Sequence, residues 1–407
     1  MSRLTLINFG LVGQYGIIDK QIDIETYGTT HASVTVDGIV VEPNHFVADG
    51  KKQIHLVLDP GSFKPGALLE GHLIIESASG ISRIRITGSI EDVYSIDEKS
   101  SIASTQTPWQ REKVLHGHQN KVWGIAIDKT ATLLLSCSED QTVKIWDIER
   151  AKYDTLNFTT PPLFIAISPN NHLFAVGLRD GSLHVHELAT ARKIWHKNIH
   201  SSAIFSIAFA PNSEFLVSGS GDRTISVSDS YTGNLSYEPL RQEAIVTAIA
   251  IAGHGHVLAS TSQNKKIFLW DISTGQRIRE LVGHEGNIWT IAFSLDGHMI
   301  ASGSGDKTII LWDTQSGQIK SKIDGFKKDV FRVALSPDGT ILASSSGEPK
   351  IRIWNTHTQQ KLATLENSDI WVRDLVFSPR QDFLAGALDD GNINIWRVDN
   401  PLDQNNM

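Results

Sequence analysis

"SGSGDKTIILWD", residues 302–313, admits three readings. Its Gly-Ser-Gly-Asp-Lys-Thr core looks like a fragment of a phosphate loop. Its serine and aspartate, with His284 upstream, look like parts of a hydrolase. Its β-branched half, "TIILWD", looks like a short buried strand. Near-copies elsewhere in the chain decide among the three. They are "SGSGDRTISVSD" (218–229), "SCSEDQTVKIWD" (136–147), "STSQNKKIFLWD" (260–271), "SSSGEPKIRIWN" (344–355) and "GALDDGNINIWR" (386–397), with a worn copy in "VGLRDGSLHVHE" (176–187).

The tryptophan position recurs at Trp146, His186, Ser228, Trp270, Trp312, Trp354 and Trp396, in steps of 40 and then 42 five times. A catalytic centre or phosphate loop occurs once in a domain, not in every repeat. Asp306 also stands where a phosphate loop needs the glycine before its Lys-Thr. Each period holds four strand-like runs. In one copy they are "NIWTIAFS" (287–294), "HMIASGS" (298–304), "TIILWD" (308–313) and a run after the polar turn "TQSG" (314–317). A four-stranded unit repeated radially is a blade, so the chain reads as an all-β protein with a seven-bladed β-propeller.

The copies carry Gly-His at Gly117–His118 and Gly283–His284, and Trp-Asp at Trp146–Asp147, Trp270–Asp271 and Trp312–Asp313. On these residues the segment 109–399 resembles the WD-repeat (WD40) family. The stretch after Arg397, "VDNPLDQNNM", is too polar to supply a fourth strand to the last copy, and 400–407 reads as a tail. "WQREKVLHGH" (109–118), however, matches "GQRIRELVGH" (275–284). Residues 110–115 are therefore expected to form the outer strand of the seventh blade and to close the ring.

The resemblance implies a hydrogen-bonded tetrad in each complete blade. The matching residues are His118, Ser136, Asp140 and Trp146 in one blade, and His284, Ser302, Asp306 and Trp312 in another. An indole N–H only donates, and the serine hydroxyl can accept it. A fully satisfied buried network stabilises its blade. The Ser, His and Asp are thus read as structural, and no catalytic residue is assigned. Other blades are incomplete. His200, Ser218 and Asp222 sit beside Ser228; Gln242 and Phe326 take the histidine position; Asn264 and Glu348 take the aspartate position; Asp180 is flanked by Val176 and His186. The blade around 158–190 is expected to open most readily.

The same resemblance places a partner-binding rim at Trp123, Phe205, Trp289, Phe331 and Arg373, with Lys121, Asn287, Asp329 and Trp371 two residues earlier in their repeats, and Glu139, Arg179 and Asp389 before the turn aspartate. Aromatic and arginine side chains dominate binding energy at interfaces. Packing between blades is the competing role for Trp123, Phe205, Trp289 and Phe331. Trp371 and Arg373 depart from the repeat's own pattern and lean toward binding.

Composition narrows the function classes. The 407 residues are 40% hydrophobic and 20% charged with a net charge of −8, an ordinary globular balance. No long basic run appears, which argues against nucleic acid and against a charged membrane surface. Cys137 is the single cysteine, so neither an intrachain disulfide nor a cysteine-rich zinc site can form. The histidine pairs in "HGH" (116–118 and 254–256) and "HVHE" (184–187) lack an evident third ligand, so no metal and no cofactor are assigned. No basic n-region and no window of about 18 apolar residues appears, and the expected compartment is the cytoplasm.

Residues 1–95 lack the repeat. "KQIDIE" (20–25) and "RIRIT" (83–87) alternate polar and apolar residues, and glycine–proline turns such as "DPGSFKPG" (59–66) separate such runs. A β-sandwich is expected. The string from "INFG" through "YGIIDKQIDIETYG" to "LEGHLIIES" resembles a bacterial immunoglobulin-like module. Acids outnumber bases 13 to 7 over residues 1–98. Residues 96–108, polar and Ser/Thr-rich, read as a linker. The whole reads as a monomeric, non-enzymatic bacterial scaffold or adaptor that holds protein or peptide partners on the propeller rim. The alternative is a propeller with a small-molecule or hydrolytic site in its central channel.

Overall fold

The computed structural model describes the backbone of residues 6–13, 18–34, 39–42, 45–58, 68–77, 80–91, 109–366 and 369–398, and the side chains of 109–366 and 369–397. The chain divides into two compact units, Met1–Ser104 and Thr105–Met407.

The first unit contains one six-stranded sheet. Its strands are β1 (Leu6–Gly13), β2 (Ile18–Val34), β3 (Ile39–Glu42), β4 (His45–Leu58), β5 (Leu68–Ser77) and β6 (Gly80–Glu91), in the order β1-β6-β5-β2-β4-β3. β1 runs parallel to β6 and every other pairing is antiparallel. The alternating runs 20–25 and 83–87 fall in β2 and β6. The immunoglobulin-like sandwich expected here rests on side-chain packing that lies outside the described residues. So do the linker 96–108 and the tail 400–407.

The second unit is a propeller of seven four-stranded antiparallel sheets. Strands are lettered a to d outward within each blade. Blade 1 runs Val122–Ile127, Leu133–Ser138, Thr142–Asp147 and Lys152–Asn157. The a strands of blades 2 to 7 begin at Pro162, Ile204, Val246, Ile288, Val330 and Val372. Each a strand neighbours the a strands of the two adjacent blades, and that of blade 7 neighbours that of blade 1, so the ring is closed. In blade 7, Asn392–Val398 pairs with Trp109–His116, from Asn392 opposite His116 to Val398 opposite Trp109. The outer strand of the last blade thus comes from the start of the propeller segment, and no open ring edge remains.

Burial explains why the strands differ in composition. Strand b lies between two neighbouring blades, so "LFAVGL" (173–178) and "FLAGAL" (383–388) are buried at every position. Strand d has one solvent face, so "KYDTLN" (152–157) and "RIRELV" (277–282) are polar and mostly exposed. Among the described residues the apolar core falls into seven clusters, one at each blade interface. Trp146 and Trp312 are among the largest fully buried side chains in them. Among the described residues no helix is long and apolar enough to cross a membrane.

Candidate rim interface

A single backbone feature creates the rim. In every blade the a–b ladder slips by one residue after the first position of strand a. Val122 pairs with Ser138 and Gly124 with Cys137, so Trp123 is the extra residue of a β-bulge. A bulged residue has no ladder partner, and its side chain is re-aimed to the sheet's end. Phe205, Trp289, Phe331 and Arg373 occupy the same bulge in blades 3, 5, 6 and 7.

Four adjacent blades join these side chains into one array. Arg179 of blade 2 grips Glu139 of blade 1 with both terminal nitrogens, at 2.7 and 2.5 Å. The indole N–H of Trp123 donates to Glu139 Oε2 at 2.7 Å. Arg179's hydrogen bonds, followed by that of Trp123, hold Glu139 below the usual carboxylate range although burial opposes them. The guanidinium of Arg373 lies 5.1 Å from the Trp123 ring centre and 5.3 Å from that of Trp371. Arg373 is locked by a bidentate bond to Asp389, at 2.5 and 2.8 Å. Trp371 in turn meets Phe331 of blade 6, with ring centres 6.2 Å apart.

Trp371 is 42% exposed. It borders a shallow, open depression of about 350 Å³ lined also by Asp369, Ile370, Asp389 and Asp390. Trp289 and Asp329 form a separate pair, the indole N–H donating at 3.2 Å. Phe205 is 40% exposed and packs on Gly221, away from the array. Lys121 contributes its carbonyl to the Glu139 N–H, and Asn287 its carbonyl to the Gly305 N–H. The charge of Lys121 adds to the lowering of the Glu139 pKa.

The tetrad residues meet inside the blades. His118 Nδ1 is 2.9 Å from Asp140 and Nε2 is 2.7 Å from Ser136 Oγ, which accepts the Trp146 indole N–H at 2.8 Å. The corresponding distances for His284, Asp306, Ser302 and Trp312 are all 2.8 Å. Ser136 and Ser302 are wholly buried, so no substrate reaches either hydroxyl. Burial lowers the pKa of His118 despite Asp140 beside it. Burial would raise that of Asp306, but hydrogen bonds from His284, Thr308 and the Glu285 N–H hold it far below the usual value. Blade 3 has the same His200–Ser218–Asp222 contacts without a tryptophan, and the hydroxyls of Ser226, Ser228 and Ser230 have no hydrogen-bond partner among the described residues. In blade 6, Phe326 packs against Trp354, and Arg352 pairs with Glu348 at 2.8 Å.

The model of the "WD domain, G-beta repeat" matches residues 109–147, 193–229, 238–271, 275–313, 317–355 and 359–397. The chain belongs to the WD40 repeat family. The longest unmatched interval within the propeller, 148–192, holds the outer strand of blade 1 and most of blade 2, where Val176 and His186 stand at the repeat's serine and tryptophan positions. Similar proteins include eukaryotic translation initiation factor 3 subunit I of Botryotinia fuckeliana, 34% identical over 95 residues, which is 23% of this chain and 27% of that protein. The 77 kDa echinoderm microtubule-associated protein of Strongylocentrotus purpuratus is 24% identical over 113 residues, 28% of this chain and 16% of that protein. The periodic tryptophan protein 2 homolog of Dictyostelium discoideum is 33% identical over 79 residues, 19% of this chain and 9% of that protein. The chain spans about a quarter or less of the length of these relatives.

Two features of the WD40 ring escape a register reading of the sequence. Arg332 and Asp374 form an ion pair on the channel-lining strands, 2.5 Å apart. Their signal is a charged residue at the third position of strand a, which otherwise holds Gly124, Phe164, Ser206, Ala248 and Thr290. Trp195, from strand d of blade 2, reaches over blade 3 and lies against Gly233. Among the described residues no group of three or more His, Cys, Asp or Glu is placed to hold a metal.

Proposed function

We propose that this WD40 protein is a non-catalytic scaffold or adaptor that docks a protein or peptide segment on the propeller rim. WD40 propellers are typical of protein-interaction scaffolds, and similarity to an initiation-factor subunit is consistent with work in complexes. One observation carries the reading: Arg373 is fixed between Trp123 and Trp371, and Trp371 leaves 42% of its surface exposed beside a shallow depression. A rigid aromatic held by a locked arginine offers binding area at little entropic cost. The amino-terminal unit, which we read as an immunoglobulin-like module, serves as a second contact surface. We place the monomeric protein in a bacterial cytoplasm.

The competing reading is a ligand or hydrolytic site in the central channel. Arg332 of blade 6 and Phe164 of blade 2 belong to blades that are not neighbours, yet the guanidinium lies 5.1 Å from the ring centre. They approach each other across the channel at that level, which favours the rim. The test is affinity capture from native lysate with wild type beside a Trp371→Ala/Arg373→Ala variant. Selective loss of captured partners in the variant supports rim docking. Identical capture by both overturns it.

A further inference from the structure

Three a strands use their third residue to fasten the next blade. Ser206 Oγ accepts the Ile249 N–H at 3.1 Å, and Thr290 Oγ1 accepts the Val333 N–H at 3.2 Å. At the junction of blades 7 and 1 the residue is Asp374, whose Oδ2 accepts the Ile125 N–H at 2.9 Å. A hydroxyl is sufficient for the first two junctions. The carboxylate at the third does more. Its other oxygen faces Arg332 Nε of blade 6 at 2.5 Å, and Arg332 lies over Phe164 of blade 2. Its side chain is only 3% exposed; burial raises its pKa, and the charge of Arg332 with the N–H groups of Ile125 and Leu375 opposes that shift without cancelling it.

These contacts cross the junction where the two ends of the propeller segment meet. The two ends of the propeller segment meet in blade 7, so blade 7 and blade 1 are connected covalently only through the strand Trp109–His116. Ile125 and Asp374 are 249 residues apart in sequence. The blades tied from inside, 6, 7, 1 and 2, are the four that carry the rim array. Arg332 directly follows Phe331, and Asp374 directly follows Arg373.

We propose that Asp374, Arg332 and Phe164 form an inner lock on ring closure, and that Asp374 and Arg332 are positioning residues that hold Phe331, Arg373 and Trp123 in register. The second half rests on the rim reading, but the experiment needs no partner. The lock is tested in the full chain with Arg332→Ala/Asp374→Thr, which copies the neutral Ala248–Thr290 arrangement and keeps an acceptor for Ile125. Asp374→Asn, which keeps the shape and loses the charge, is measured beside it. Amide exchange over 109–116 is expected to be about tenfold faster or more in both variants, with residues 204–293 unchanged. In 5-fluorotryptophan spectra assigned with Trp123→Phe and Trp371→Phe, the signals of Trp123 and Trp371 shift and broaden, while that of Trp312 stays. Exchange within twofold of wild type over 109–116 overturns the lock. Unmoved Trp123 and Trp371 signals overturn the positioning role, and either failure leaves docking at the rim to its own test.

Discussion

Trp195 donates its indole N–H to the carbonyl of Ser230 at 2.9 Å, across the boundary between blades 2 and 3. Its ring lies against Gly233, where any side chain would collide with it. Blade 3 has Ser228 in place of the repeat's tryptophan, and its outer strand pairs at only two positions. Tyr237 of blade 3 makes the equivalent contact with the Ile272 carbonyl of blade 4, which keeps Trp270, so Trp195 ties two neighbouring blades and does not replace the missing tryptophan. Trp195→Ala is expected to cost about 3–5 kcal/mol, as for a buried tryptophan of a complete blade. Urea unfolding beside Trp312→Ala checks this, and a cost below a third of the Trp312 value contradicts it.

Ser302 serves both Trp312 and His284, so Ser302→Ala leaves a buried donor and a buried ring nitrogen unmatched. The expected loss is about 1–3 kcal/mol. Ser226→Ala, which removes a hydroxyl with no partner among the described residues, should be neutral or stabilising in the same assay. Equal losses would contradict the network account.

Blade 2 contains a histidine stack. His184 lies 5.1 Å from His196 and 6.4 Å from His186, ring centre to ring centre. Burial, then the charges of His196, His186 and Lys193, press the pKa of His184 down to about 4, against Asp180. Burial, with Lys193, also lowers that of His186. Folded values below the unfolded one favour the neutral rings in the fold. Stability is therefore complete above about pH 6.5 and falls as pH drops toward 4. Amide exchange over 158–198, corrected for intrinsic rates, should rise more between pH 7 and 5 than over 288–323. Equal changes in both regions would remove the histidines from the explanation.

Trp371 and Arg373 should separate binding from stability. Trp371→Ala removes an exposed ring and is expected to alter stability by no more than about 0.5 kcal/mol. Arg373→Ala strips the partner from half-buried Asp389 and should cost about 1–2 kcal/mol. Thermal unfolding in urea series measures both. A large loss with Trp371→Ala would make that ring a packing residue.

The blade count is legible because one hydrogen-bonding and packing problem recurs every 42 residues, and the tryptophan step counts its solutions. The exchanged outer strand is legible too, since "WQREKVLHGH" matches "GQRIRELVGH" in an out-of-place copy. The rim is legible only as positions. The register locates Trp123 and Arg373, but the bidentate Asp389 bond and the order of stacking depend on rotamers that no spacing encodes. Arg332 and Phe164 are harder still, because their meeting requires the diameter of the finished ring. Trp195 is hidden for a related reason: its hydrogen-bond partner lies in another repeat.

The pairing of His116 with Asn392 spans 276 residues. During synthesis Trp109–His116 is the first propeller strand to leave the ribosome, and it has no native partner until nearly the whole ring has been made. Until then both the early strand and the last blade present raw edges, each of which fits the other's counterpart in a second nascent copy equally well. Exchange between chains on a crowded polysome is therefore the characteristic error of this architecture, and slow emergence of blades 2 to 6 lengthens the interval in which it can happen.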